Sequence, residues 1–419
     1  MQEIHNPCIE FETGKKLVAP KQIGVTFKYL SRCYSRHKEK KNLSRERIYF
    51  SKKLKYKKDP YGAIGRFKTV TIIGVSGAMG SEILKRILTE QALPDCEKIQ
   101  LFGRPKKASQ GKDKNFYYAL IEKLKDGMDG VLPNIEFVDS YDRVDGELLI
   151  MCAGKTIPKG IGKASDRTTL MHENKAIFEN CARSIKENPS RPPEMVIVVS
   201  NPNELCTWVF SKYFKRVVAI GPVLDSLRLQ REIREELDLP VEISVDGLVG
   251  GNHELRGMVI YKSVLRINCE PPTGQILENV SPTLKKNPDV DEVYNKAYEM
   301  VQRGSEGVFN YINGYPIPTR LSVKPLIEYY CGERADFPVG IAVIAIMKAF
   351  QSNIRTVITL TKKTCIGENE ICLGVPLFIS KNGIEEIDLD SIENFRAYRD
   401  DEQLFRAVKV FKNKYSCPA

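Results

Sequence analysis

An apolar run at Val70–Val75 passes through three glycines, each three residues after the last, straight into an amphipathic segment. Gly74, Gly77 and Gly80 fall where the run ends, and Ser81 to Gln91 then places Ile83, Leu84, Ile87 and Leu88 on one face. The unit reads strand, turn, helix. The same alternation recurs downstream: KIQLF ending at Phe102, ELLIMCAG ending at Gly154, MVIVVSNP ending at Pro202 and VVAIGP ending at Pro222 are short, near-continuous apolar runs. The gaps between them suit helices, notably Arg167 to Asn188. Strands that are apolar on both faces and joined by helices predict a parallel sheet covered on both sides. After about Leu224 the pattern changes to helix and antiparallel-looking strands such as GMVIYKSVLRI, and Ser380-Lys-Asn-Gly383 carries a hairpin signal.

The predicted architecture is therefore α/β: a Rossmann-type doubly wound parallel sheet followed by an α+β substrate-binding domain. Two domains are expected, 67–222 and 223–419, and 1–66 would precede both as a basic extension. No apolar run reaches the roughly 18–20 residues of a membrane span; the nearest, Pro338 to Met347, is closed by Lys348. A net charge of +11 suggests nucleic acid at first. Its distribution argues otherwise. Residues 1–66 carry 17 Lys/Arg and 6 Asp/Glu, so the rest of the chain holds 47 of each and is balanced. The extension reads as a solvated, flexible basic arm, with contact to nucleic acid or another anionic surface as the alternative. Glu3, Glu10 and Glu12 stand where organellar transit peptides avoid acids, and the arm lacks the apolar core of a secretory signal. A cytoplasmic location is expected, with organellar targeting as the other reading. The eleven cysteines form no CxxC pair, and residues such as Cys152 and Cys181 sit in apolar patterns, which predicts buried reduced thiols and no metal site.

The glycines have a chemical reading. A chain that turns tightly and then passes close to a pyrophosphate needs them, and the helix behind offers unpaired N–H groups and a positive dipole end to the anion. At the end of the second strand, where an acid usually binds the adenosine ribose, the sequence is Gln100-Leu-Phe-Gly103-Arg104-Pro-Lys106-Lys107. The acid is missing and Arg104 heads a cationic cluster. A guanidinium pairs with a 2′-phosphate where a carboxylate would repel it, so NADP(H) is expected over NAD(H), with Arg104 as a solvated loop charge the alternative.

Histidine is scarce: His5, His37, His172 and His253 are all there are. Two lie in the arm and His172 on an amphipathic helix. His253 stands in Val249-Gly-Gly-Asn-His-Glu254, a turn before a strand. Upstream, Asp225 and Arg228 lie at i and i+3 and project to one side of a helix. An aspartate can fix an imidazole tautomer, and an arginine can clamp a carboxylate with two parallel hydrogen bonds. The pair alone would equally suit a helix-start salt bridge.

In combination these motifs resemble the lactate/malate dehydrogenase family, from about Lys68 almost to the C-terminus. The resemblance rests on the glycine loop, Ala153-Gly154 with a long loop to Arg167-Thr-Thr-Leu170, Asn174, Val199-Ser-Asn201-Pro202, Leu224-Asp-Ser-Leu-Arg228, Gly250-Gly-Asn-His253 and Leu373-Gly-Val-Pro376. It implies an oxidoreductase moving a hydride between a nicotinamide cofactor and a small 2-hydroxy acid. His253 would exchange the substrate proton, oriented by Asp225. Arg228 would hold the substrate carboxylate, and Arg167 would close over the substrate and polarise the reacting oxygen. Asn201 would bind that oxygen or the nicotinamide ribose, with Asn174 and Val199 lining the cofactor site. The resemblance also implies a homodimer or homotetramer.

Departures bear on the substrate. Where malate enzymes of the family usually have Arg in the substrate loop, this chain has Ile157-Pro158-Lys159, in a longer loop that also holds Lys155 and Lys163. Lys159 is the best match, and the cationic loop favours malate/oxaloacetate over lactate/pyruvate or another 2-oxo acid. Glu254 follows the histidine where the family often has Gly, and Phe337 and Pro338 fall near a substrate wall that is usually small. Cys8, Cys33 and Cys417 suggest a redox switch only weakly. The rival function class is a non-catalytic nucleotide sensor or scaffold on the same fold.

Overall fold

The computed structural model describes residues 56–64, 66–103, 114–128, 132–156, 167–188, 192–240, 243–253, 257–261, 265–268, 290–331, 335–366, 369–387, 409 and 411–413. Arg104, Lys159, Lys163 and Glu254, together with Cys8, Cys33, Cys417, His5 and His37, lie outside the described residues, as does the side chain of Arg167.

The first strand, β1 (Tyr56–Lys57), is followed by β2 (Thr69–Ile73), helix α1 (Ala78–Thr89), β3 (Lys98–Phe102), α2 (Lys114–Asp126), β4 (Asn134–Val138) and β5 (Leu148–Met151). Next come α3 (Arg167–Glu187), β6 (Met195–Val198), α4 (Asn203–Phe210), β7 (Val217–Ala219) and α5 (Gly221–Glu236). In the sheet, β2 to β7 lie side by side in the order β4-β3-β2-β5-β6-β7, each pair parallel. This order reverses direction between β2 and β5. In open parallel sheets, ligands bind outside the carboxyl ends of the strands at such a reversal.

The strands carry apolar residues toward both faces because helices cover both. Val70, Ile72, Ile99 and Leu101 pack with α1 and with a later helix, while Ile73, Phe102, Leu149 and Met151 pack with α3 and α4. The helix after the glycines begins at Ala78, three residues earlier than its apolar pattern suggested, with Gly77 at its N-cap, and gives way before Gln91, whose φ is +46°. Only Gly74 of the three glycines has a left-handed φ, +89°, so the turn is complete before Gly77 and the helix can start at once.

The remaining elements are β8 (Ser244–Asp246), β9 (Val249–Gly251), β10 (Met258–Ile260), β11 (Arg266–Asn268), α6 (Val290–Gln302), α7 (Val308–Asn313), α8 (Ile317–Tyr330), α9 (Asp336–Gln351) and the strands β12 (Thr356–Ile366), β13 (Asn369–Ser380) and β14 (Gly383–Ile387). The segment GMVIYKSVLRI supplies two strands, β10 and β11, antiparallel to β9 and β8. Ser380 and Gly383 close the β13–β14 hairpin. β12 runs antiparallel to β7 through Thr361 and Ala219, so the sheet continues into the C-terminal half in the order β7-β12-β13-β14-β1.

Residues 53–419 form one compact unit. Part of the segment assigned by charge to the flexible arm is built into it. Tyr56 and Lys57 pair with Ile387 and Glu386. The buried carboxylate of Asp59 accepts hydrogen bonds from Arg216 Nε (2.9 Å), Tyr61 N (2.9 Å) and Ile384 N (3.1 Å). One aspartate joined to two distant parts of the chain, at Arg216 and Ile384, outweighs the surrounding lysines, which composition alone counts as solvated.

In the C-terminal half, α5 and α8 are joined by a buried ionic cluster. Glu232, 1 % exposed, lies 2.6 Å from Lys324 Nζ and 3.3 Å from Arg320 Nη1. Burial would raise the Glu232 carboxyl, but Lys324 and Arg231, the latter 3.0 Å away, hold it below the usual carboxylate range.

Candidate active site

The crevice between β2 and β5 is floored by glycine. A Cβ placed on Gly74 would lie 2.8 Å from Ala153 N, and one on Gly80 would lie 2.6 Å from Gly74 O, so any side chain at either position would push the turn apart. Gly77 is less constrained, its added Cβ meeting only Gly74 O at 3.3 Å. These contacts bring the end of β2, the Ala153-Gly154 pair after β5 and the first turn of α1 together, and the first N–H groups of a helix have no acceptor within it. Such a cradle fits a dinucleotide pyrophosphate.

The end of the neighbouring strand is also shaped by a missing side chain. A Cβ on Gly103 would overlap the phenol of Tyr117, a buried residue of α2 stacked on Phe137 at 4.2 Å. The acidic side chain common at this strand end is thus absent, and the packed ring leaves no room for one.

The cluster around His253 is assembled from two segments. Pro222 at the first turn of α5 gives the helix a firm start, and one turn later Asp225 enters the interior, 3 % exposed. His253 Nδ1 lies 2.9 Å from Asp225 Oδ1 and 3.0 Å from Oδ2, and Arg228 Nη1 donates to Oδ1 at 2.9 Å. Burial would raise the aspartate carboxyl, but His253 and then Arg228 overcome it and hold it below the usual carboxylate range. An ionised carboxylate only accepts, so Nδ1 carries the proton that binds it. In the neutral ring this leaves Nε2 as the basic atom, on a side chain 32 % exposed. Arg228, 21 % exposed, uses one N–H on Asp225 and keeps others of its five for a second anion. The sequence offered a helix-start salt bridge or a substrate clamp for this arginine; the geometry permits both at once.

Ser226, between the two charged residues, sets the spacing. Val249 N donates to Ser226 Oγ at 2.9 Å, and that hydroxyl donates to Pro222 O at 2.7 Å. β9, which leads directly to the histidine turn, is thereby tied to α5. The paired glycines allow the approach: Gly251 has φ +76°, and a Cβ on Gly374 of β13 would stand 2.6 Å from Pro222 Cγ. The motif Leu373-Gly-Val-Pro376 therefore backs the histidine turn and is distant from it only in sequence.

Two further loops complete the site. After β6, Ser200 Oγ lies 3.0 Å from Met151 O and 2.6 Å from Ala153 O, fastening this loop to the end of β5. Asn201, which follows, is exposed and joined to Pro202 by a cis peptide bond. Val199 is buried in the core, with its N–H on Met151 O. Asn174 differs from the expectation of a cofactor-lining side chain. It is fully buried: its Oδ1 accepts from Lys155 N (2.7 Å), and its Nδ2 donates to Lys155 O (3.0 Å) and Asn201 O (2.8 Å). All its polar capacity holds the loops after β5 and β6 together, so it acts on the site through their backbones.

Other expectations fall away from the centre. Lys155 is paired with Glu173 at 2.6 Å, so its charge is already partnered on α3. His172 is exposed on the same helix. Phe337 is 57 % exposed and stands over the Arg86 guanidinium at 4.5 Å, packing α9 on α1. Burial pushes the Cys206 and Cys372 thiols far above their ordinary range, which keeps them protonated. Arg167 is the first residue of α3. The residues not singled out in the sequence, Ser200, Ser226 and Asn203, are small polar side chains bonded to backbone. Ser200 and Ser226 were signalled only by their position inside the Val199–Pro202 and Leu224–Arg228 motifs, and Asn203 only by directly following the first.

The sequence profile described as "lactate/malate dehydrogenase, NAD binding domain" matches residues 68–218. A malate dehydrogenase of Pelagibacter ubique is 24 % identical over 337 residues, covering 78 % of this chain and 91 % of the relative. In fold, the chain is similar to the malate dehydrogenase of Aeropyrum pernix (TM-score 0.58, 20 % identity, 83 % of this chain and 97 % of that one). It is likewise similar to the lactate dehydrogenase of Cryptosporidium parvum complexed with lactic acid and nicotinamide adenine dinucleotide (TM-score 0.56, 19 % identity, 84 % and 99 %). With the strand order, the glycine cradle and the Asp225–His253 pair, these likenesses show that residues 68–218 match the NAD binding domain of lactate/malate dehydrogenases and that the chain shares the fold of those enzymes.

Proposed function

We propose that this protein is a nicotinamide-dependent 2-hydroxyacid dehydrogenase acting on malate and oxaloacetate. The observation that carries the reading is the His253–Asp225–Arg228 cluster, which combines a proton-accepting ring nitrogen with a carboxylate-binding cation. Residues 67–222 would hold the dinucleotide, with Gly74, Gly77 and Gly80 against its pyrophosphate. When bound, the nicotinamide supplies the hydride acceptor or donor. The chain does the rest. In the oxidative direction His253 Nε2 takes the hydroxyl proton, Asp225 stabilises the imidazolium that forms, and Arg228 holds the carboxylate. Arg167 and Asn201 polarise the reacting oxygen, and Lys159 attracts a second carboxylate as a point charge.

The choice of malate rests on the cationic substrate loop and on the name of the curated relative. Lactate/pyruvate is the reading favoured instead if Lys159 does not reach the substrate. For the cofactor, Gly103 under Tyr117 removes the acid that would repel a 2′-phosphate, and Arg104 follows it, so NADP(H) is preferred over NAD(H). The enzyme is expected to be a homodimer or homotetramer, which light scattering will determine.

Purified protein mixed with NADPH or NADH and a panel of 2-oxo acids tests all of this by cofactor absorbance. Turnover of oxaloacetate with tighter binding of NADPH is expected. Preference for NADH would overturn the cofactor assignment, and cofactor binding without turnover of any 2-oxo acid would favour a nucleotide-binding scaffold. Asn in place of His253 should lower turnover about a hundredfold or more and leave cofactor affinity within about twofold.

A further inference from the structure

Asn201 is the site residue whose side chain has the least obvious support. Its carboxamide is exposed, and an asparagine in that position can present either its oxygen or its amine to the reacting group. Only the amine can donate to a carbonyl or developing alkoxide. The surrounding bonds decide which way it faces.

They run through Asn203, the first residue of α4, whose side chain is buried. Asn203 Oδ1 accepts from Gly221 N at 2.8 Å, and a backbone N–H can only donate, so the amine of Asn203 must point the other way. There it meets oxygens: Ser200 O at 2.8 Å, Asn201 Oδ1 at 2.9 Å and, more distantly, Val199 O at 3.4 Å. The Asn201 atom facing an amine has to be its oxygen. Asn201 Nδ2 is then on the opposite side of the carboxamide. Meanwhile the Asn201 backbone is pinned by Asn174, whose Nδ2 donates to Asn201 O.

We infer that Asn203 is a positioning residue that sets the orientation of the Asn201 carboxamide, presents its amine to the reacting oxygen, and links that orientation to the start of α5. The link matters because Gly221 is the first residue of the helix that carries Asp225 and Arg228. A Cβ at Gly221 would lie 2.8 Å from Asn203 Oδ1, so the contact between the two is close. One buried amide thus ties the oxygen-binding group to the helix that orients the proton-exchange group.

The inference rests on the dehydrogenase reading, and the test separates the two. Asn203→Val removes both donors and the acceptor at similar volume. In the full-length enzyme its kcat for 2-oxo acid reduction is expected to fall about tenfold or more, with cofactor affinity unchanged within about twofold. A role confined to folding would lower the thermal midpoint and leave kcat of the folded enzyme intact, and that result would overturn the inference. Asn203→Ser, smaller and able to donate one bond, should recover part of the loss and carries the same readouts if the valine variant does not accumulate. Independently of turnover, a crystal structure of the variant should show the Asn201 carboxamide rotated or in two orientations. An unchanged carboxamide would overturn the inference even if the wild-type protein reduces no 2-oxo acid, a failure that would count against the dehydrogenase reading alone.

Discussion

Asp225 stands between the His253 imidazole and the Arg228 guanidinium, and its ionisation is the electrostatic hinge of the site. Because His253 and Arg228 hold its carboxyl below the usual range despite burial, the folded state binds that proton less readily than the unfolded chain. The resulting stabilisation is fully present above the ordinary aspartate value of about 4 and is lost as pH falls through the lower folded-state value. Asp225→Asn should therefore destabilise the protein by about 3 kcal/mol at neutral pH, since Arg228 is left without its charge partner. The gap in urea midpoints between the two proteins should hold from pH 7 to about pH 4 and narrow as pH falls below that; a gap that stays constant there would show that the charge is not its source. At this scale the sequence was informative where a residue type is rare and its partner is near in the chain. His253 qualifies because the balanced body of the protein holds one other histidine, and Asp225 and Arg228 share one helical turn. Asn174, Asn203 and Ser226 were obscure because their partners are backbone atoms of other segments. Ser226 reaches across 23 residues to Val249, and Asn174 across 27 to Asn201. No periodicity records a side chain that bonds to main chain so far away.

At the level of elements, the strand–glycine–helix unit makes a sharper demand than its sequence pattern conveys. Spacing treats Gly74, Gly77 and Gly80 alike, but the folded turn does not. A methyl at residue 80 would stand 2.6 Å from Gly74 O and 2.8 Å from Val75 Cα, whereas one at 77 meets a single atom at 3.3 Å. Gly80→Ala should cost about 2 kcal/mol of stability through overpacking and weaken cofactor binding about tenfold or more, because the backbone proposed to hold the pyrophosphate must move. Gly77→Ala should stay within about 1 kcal/mol of wild type. Thermal melts and cofactor titrations of both variants give the comparison, and equal losses would mean that the cradle is not shaped by these contacts. Strands and helices of the parallel half were legible because the central strands β2, β5 and β6 are buried on both faces and α1 on one. The C-terminal half was less so. α8 contains Pro325, which by itself argues against a continuous helix, and it is held by Arg320 and Lys324 reaching buried Glu232 of α5. Charged residues in a core read from sequence as surface.

Across the whole molecule, the segregation of charge was correctly visible in the sequence, but the place where the structured body begins was not. Residues 1–52 contain 12 Lys/Arg and 5 Asp/Glu, which is seven of the eleven excess positive charges. The compact unit begins at Lys53, and its first firm attachment is Asp59, whose side chain is 4 % exposed and whose partner Arg216 is 9 % exposed. Arg216 also donates to Gly62 O at 2.7 Å, and Tyr61 lies under its guanidinium at 5.5 Å. The segment around Asp59 thus closes over the end of β7 and beside β14, and it is part of the fold. Two truncations should consequently behave in opposite ways. A protein starting at Lys53 keeps β1 and Asp59, and is expected to melt within about 2 °C of the full chain, a difference under about 1 kcal/mol for a protein of this size, with turnover unchanged. One starting at Lys68 loses the anchor and leaves Arg216 buried without its carboxylate, a change worth about 3 kcal/mol or more, and should melt well below it. Asp59→Ala in the full chain separates charge from packing: if it melts like the shorter truncation, the ion pair carries the attachment, and if it melts like wild type, the β1–β14 pairing does. Loss of activity on removing only residues 1–52 would instead place the basic arm within the working enzyme, and would require its charge to act on the site rather than on an external anionic surface.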